Sequence, residues 1–125
     1  MSKINSPYVC KFIEKIENTR NIHIVMEYAG KQNLEDYIKE KKDGANIKPQ
    51  ELKVLLGNVC RGLEAIHQTN IIHRDLKVEN IVLSNFDTPK IVDFGFAREI
   101  GSVMGIAGTL NYMAPELCDK NTLKK

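Results

Sequence analysis

The chain predicts an α+β fold, on three observations about how its apolar residues are spaced. Two short β-branched runs open it, and one long amphipathic helix occupies its middle. Three very short apolar runs then alternate with polar loops. After Asp93 the periodicity lapses, and Gly95, Gly101, Gly105 and Gly108 imply a long, mobile loop.

Residues 11–16 and 22–28 read as strands, the second carrying Ile22, Ile24, Val25 and Met26. The polar stretch 18–21 between them makes an antiparallel hairpin the economical reading, and Gly30 breaks the second strand. Asn33 can cap a short helix through about residue 41, with Leu34, Tyr37 and Ile38 on one face. Asp43-Gly44 then marks a turn. The clearest helix spans 49–68. Pro49 suits its first position and Glu51 its positive end. Leu52, Leu55, Leu56, Val59, Leu63 and Ile66 form one stripe along it. His67 reads as a helix-terminus residue rather than a ligand. Residues 71–72, 81–83 and 90–92 are the short strands.

Composition is that of a globular domain: 125 residues, 42% hydrophobic and 27% charged. A net charge of +2 supplies no concentrated basic surface, which argues against nucleic acid as a partner. The Lys39, Lys41 and Lys42 cluster is interrupted by Glu40 and Asp43 and reads as a solvated helix end. Cys10, Cys60 and Cys118 form neither a CxxC pair nor a disulfide framework, so reduced, buried or half-buried thiols are expected. No stretch approaches a membrane span or a signal peptide, and Ser2 stands where N-myristoylation needs glycine. A cytoplasmic or nuclear location follows by default.

The densest polar constellation is His73-Arg74-Asp75-Leu76-Lys77-Val78-Glu79-Asn80. It places a carboxylate, an ammonium and a carboxamide within six residues, between β-branched runs that can hold them on a rigid loop. Asp93-Phe94-Gly95 follows the next strand. Asn80 and Asp93 are hard oxygen ligands at adjacent strand ends, a set that suits Mg²⁺. Phosphoryl transfer asks little more of a protein than metal on the phosphates, a cation on the moving group and a carboxylate aiming the hydroxyl.

These residues resemble the protein kinase superfamily, whose catalytic loop reads HRDxKxxN and whose metal motif reads DFG. Ala114-Pro115-Glu116 matches its third landmark in the right order. The resemblance implies a protein-kinase-like fold, ATP and Mg²⁺ as cofactors and a protein hydroxyl as acceptor. By it Asp75 is the catalytic base, Lys77 contacts the γ-phosphate, and Asn80 and Asp93 hold Mg²⁺. Lys77 stands where Ser/Thr kinases carry lysine, and Thr109 matches the threonine that bridges base and lysine in that class. Met26, Glu27 and Ala29 resemble gatekeeper and hinge, with the Glu27 carbonyl and the Ala29 N–H and carbonyl on adenine. Met26 is read as a core residue lining the pocket, Val82 as the adenine floor, and Asn33 as lying near the ribose. Phe12, His73 and Phe94 fall where kinases stack a hydrophobic column. The runs at 93–98 and 112–116 look most like the autophagy-initiating kinases.

The same resemblance makes the chain a partial kinase domain. Residues 1–26 correspond to the end of the N-lobe sheet, 27–32 to the hinge and 33–125 to a C-lobe portion. The 125 residues contain no counterpart of the glycine-rich loop or of the strand lysine. By themselves they are therefore expected to have little or no kinase activity. The alternatives are an inactive fragment or pseudokinase acting as a binding module, or a truncated gene product. Arg74 precedes the catalytic Asp, where a phosphorylated loop docks in many kinases. Gly105 occupies the usual acceptor position, so either Ser102 substitutes for it or activation needs no loop phosphorylation.

Overall fold

The computed structural model describes residues 3–44, 47–85, 87–102 and 105–118. The expected C-lobe portion therefore runs past the described residues, as does the side chain of Lys42.

The hairpin forms from β1 (Phe12–Glu17) and β2 (Ile22–Met26). Asn18 makes its turn, with Oδ1 accepting the N–H groups of Arg20 and Asn21 at 2.9 and 2.8 Å. Ile13, Ile16, Ile22 and Ile24 are each about half exposed. Met26, expected in the core, is 40% exposed, because a two-stranded ribbon has no interior.

β3 (Gln32–Asn33) leads directly into α1 (Leu34–Gly44). Asn33 caps the helix as expected, its Oδ1 accepting the Asp36 N–H at 2.9 Å. The expected turn at Asp43-Gly44 is absent and the helix runs through it, ending on the glycine. Lys39 pairs with Glu35 one turn back at 2.7 Å, in keeping with a solvated face.

α2 (Pro49–His67) has Pro49 at its start, and His67 is its last residue. Leu55, Val59, Gly62 and Ile66 form its buried stripe. Leu52 and Leu56, expected on that stripe, are 39% and 48% exposed. They sit on the flank turned away from the strands that α2 covers. Gly62 is required where it stands, since a Cβ there would lie 2.8 Å from the Tyr8 carbonyl oxygen and 3.0 Å from Ile91.

β4 (Ile71–Ile72), β5 (Ile81–Leu83) and β6 (Pro89–Ile91) follow. β3, β5 and β6 make an antiparallel sheet in that order. The Tyr8–Cys10 backbone docks beside β6, where Ile91 donates to the Tyr8 carbonyl and accepts from the Cys10 N–H, both at 2.9 Å. α2 packs on this strand, and the core gathers around Ile66 and Ile91, which are fully buried.

The stretch after Asp93 is less irregular than its composition implies. β7 (Arg98–Glu99) pairs antiparallel with β4, and the Ile100 N–H donates to the Asn70 carbonyl at 2.7 Å. α3 (Pro115–Cys118) closes the described chain. Cys10 is buried, while Cys60 and Cys118 are exposed rather than buried or half-buried. Both lie on helix faces that no described element covers. No helix among the described residues is long and apolar enough to cross a membrane.

Candidate active site

The β5–β6 hairpin sets the site. Ile81 pairs with Ile91, and the Val92 N–H continues the ladder to the Asn80 carbonyl at 3.0 Å. Asn80, just before β5, and Asp93, just after β6, therefore emerge at the same end of the sheet. Asp93 has a φ of +59° and Arg74 a φ of +67°. Such left-handed positions are costly for ordinary residues and concentrate at functional sites. Asp93 is held there partly by its own Oδ1, which accepts the Gly95 N–H at 3.1 Å.

Asp75 is 5% exposed and is the hub of a polar network. Its Oδ1 accepts the Thr109 hydroxyl at 2.7 Å, and its Oδ2 accepts Asn80 Nδ2 at 3.0 Å. Asn80 Nδ2 also donates to the Asp75 carbonyl at 2.9 Å. Lys77 Nζ lies 3.4 Å from Asp75 Oδ2 and donates to Thr109 Oγ1 at 2.9 Å. Thr109 is thus a bridge: it gives its proton to the carboxylate and takes one from the ammonium. Burial pushes the Asp75 carboxyl up, but the Thr109 and Lys77 hydrogen bonds and the Lys77 charge outweigh it. Its pKa ends below the usual value.

Both described bonds of the Asn80 side chain are made by Nδ2 to Asp75, which leaves the amide oxygen, a hard donor, outside them. Asp93 adds an exposed carboxylate at the neighbouring strand end. The described residues hold no cluster of three His, Cys, Asp or Glu. That donor set fits Mg²⁺, which keeps several waters and takes one or two protein oxygens beside phosphate. His73 is structural: its ring contacts the Val92 carbonyl through Nε2 at 2.9 Å and accepts the Asp75 N–H at Nδ1, 3.3 Å away. Phe94 meets that ring edge-on at 5.0 Å. The described ring contacts do not extend this stack to Phe12.

The remaining expected residues fall into two groups. Register places Asn33 opposite Val82 and Val82 opposite Lys90, so the three share one face in a row across the sheet. Met26 ends β2 and Glu27 and Ala29 follow it; among the described ion pairs, Glu27 joins that row through Lys90 at 2.6 Å. Sequence reading missed Lys90. Its partner is 63 residues away, and its one local signal is a charge between the buried Pro89 and Ile91. Arg74 and Ser102 are not joined. Arg74 donates to the carbonyls of Phe96 at 2.7 Å and Gly105 at 3.1 Å, whereas the Ser102 hydroxyl donates to the Glu99 carbonyl at 2.8 Å.

The protein kinase domain family matches residues 1–125. Among similar proteins, Developmentally-regulated protein kinase 1 of Dictyostelium discoideum is 34% identical over 97% of this chain. Serine/threonine-protein kinase ATG1b of Arabidopsis thaliana is 38% identical over 94% of it. NUAK family SNF1-like kinase 2 of Homo sapiens is 33% identical, also over 94%. The ATG1b likeness agrees with the expected resemblance to the autophagy-initiating kinases. The chain spans only 17 to 19% of the length of these relatives. With the Asp75–Lys77–Thr109 network and this match over its full length, the chain belongs to the protein kinase domain family.

Proposed function

We propose that the protein carrying this chain is a Ser/Thr protein kinase that transfers the γ-phosphate of ATP to protein hydroxyls. The observation that carries this reading is the Thr109 bridge between Asp75 and Lys77. Asp75 accepts the serine or threonine proton as that oxygen bonds to the γ-phosphorus, and the bond to the β–γ bridging oxygen breaks to release ADP. Lys77 meets the charge on the moving group. Asn80 and Asp93 hold Mg²⁺, which when bound neutralises phosphate charge. The Glu27 and Ala29 backbone takes the adenine edge, Met26 lines the pocket as gatekeeper, Val82 takes the adenine face, and Asn33 lies toward the ribose. In this reading residues 1–26 end the N-lobe sheet, 27–32 are the hinge and 33–125 belong to the C-lobe.

Arg74 favours activation without loop phosphorylation. Its guanidinium already engages the carbonyls of Phe96 and Gly105, the latter at the position where a phosphorylated side chain would stand. Intact-mass analysis of active protein then finds Ser102 unmodified, and Ser102→Ala leaves the rate unchanged. A phosphorylated Ser102 whose removal abolishes activity contradicts this.

Phosphoamino-acid analysis tests the function. Labelled protein substrate yields phosphoserine or phosphothreonine. Label in phosphotyrosine alone, or no label with the native protein, overturns the reading.

A further inference from the structure

Glu27 is fixed at both its backbone and its side chain. Its N–H donates to the Lys11 carbonyl at 3.0 Å, and its Oε1 accepts the Lys11 N–H at 2.8 Å. The same Oε1 accepts Lys90 Nζ at 2.6 Å. The side chains of Lys90 and Glu27 are 18% and 29% exposed, so water screens this pair far less than the Lys15–Glu17 pair of the hairpin, exposed at 49% and 57%. Burial raises the Glu27 carboxyl, yet the Lys90 and Lys11 hydrogen bonds bring its pKa below the ordinary value. The carboxylate is therefore the favoured form of Glu27.

The position of Lys90 gives this pair a use. Lys90 stands opposite Val82, which stands opposite Asn33. Lys90 also lies on the strand that delivers Asp93. One ammonium thus connects the segment after β2 to the sheet face that carries the proposed adenine floor. β1–β2 and β3–β5–β6 are separate sheets, joined by backbone through Tyr8–Cys10 beside β6 and the Lys11–Glu27 bond; the ion pair adds a side-chain tie that reaches the face of Val82.

We propose that Lys90, through its ion pair with Glu27, is a positioning residue for the nucleotide, setting the hinge against the Val82 face so that both grip one adenine. This rests on the reading of the site as an ATP site. It predicts an effect on nucleotide affinity, with the phosphoryl-transfer step preserved, because Lys90 touches neither Asp75 nor Lys77 in the network described.

The test uses the native full-length protein with Lys90→Met and Lys90→Arg. Lys90→Met should raise KM for ATP about five- to tenfold, the loss expected for a half-buried charge-assisted hydrogen bond, with kcat held within about twofold. Lys90→Arg keeps the charge and should restore most of the affinity. Lower thermal stability with an unchanged KM, a fall in kcat at constant KM, or no rescue by arginine overturns the proposal. ADP titration by calorimetry separates it from the functional reading. If the native protein transfers no phosphate but binds ADP, and Lys90→Met weakens that binding, the positioning role stands and the kinase reading falls. If the native protein binds no nucleotide, both fall.

Discussion

Thr109 is worth more than one hydrogen bond because it joins Asp75 and Lys77, side chains of opposite charge. It satisfies one carboxylate oxygen of Asp75 and orients Lys77 at once. Thr109→Val leaves a buried carboxylate short of a donor, and kcat should fall about tenfold or more, while Thr109→Ser keeps the hydroxyl and most of the rate. Asp75 also sets a pH limit. A pKa lowered on folding means its stabilising contribution is complete above the unfolded value, about 3.9, and is lost as pH falls through the folded value. Carboxyl NMR of the protein should place the Asp75 midpoint below that reference, and a midpoint above it contradicts the network. Asp75, Lys77, Asn80 and Asp93 were legible in the sequence because chemistry fixes their types and a single loop or strand end their spacing. The Glu27–Lys90 pair was not, because only the fold brings it together.

Elements were legible to the extent that side chains dictate them. The Asn33 cap, the Pro49 start and the Ile81–Leu83 strand follow from local chemistry. β7 does not: Arg98 and Glu99 are both exposed, and the strand exists through backbone bonds to the β4 region. The α2 stripe was half right for a related reason. Periodicity names an apolar face, but the neighbouring strands decide how wide a band is covered. Two glycines of that helix separate packing from propensity. Gly62→Ala drives a methyl against the Tyr8 carbonyl and should cost about 1–3 kcal/mol. At Gly57 a Cβ meets only Arg61 Nη1 at 3.8 Å, so Gly57→Ala should stabilise by roughly 0.5–1 kcal/mol. Thermal melts of the two variants should shift in opposite directions; a shared direction contradicts the packing described.

At the scale of the molecule, the core around Ile66 and Ile91 supports the loop that carries Asp75 through Leu76 and Val78, while several apolar surfaces stay open. The outer edge of β2 pairs with no described strand, and Ile22 and Ile24 lie exposed along it. Leu52, Val54 and Leu56 are exposed on α2. An unpaired apolar edge invites association between chains. Residues 1–125 produced by themselves should therefore self-associate in size-exclusion chromatography. A monodisperse monomer contradicts that expectation.

In the proposed reaction the carboxylate held by Thr109, Asn80 and Lys77 aims the acceptor hydroxyl. Single-turnover transfer of labelled γ-phosphate by the full-length protein, compared with Asp75→Asn, tests it most directly. The substitution keeps the side chain's size and removes the base, so the rate should fall by about 10²–10⁴ with ATP affinity little changed. An Asp75→Asn protein that transfers phosphate at the native rate contradicts the account.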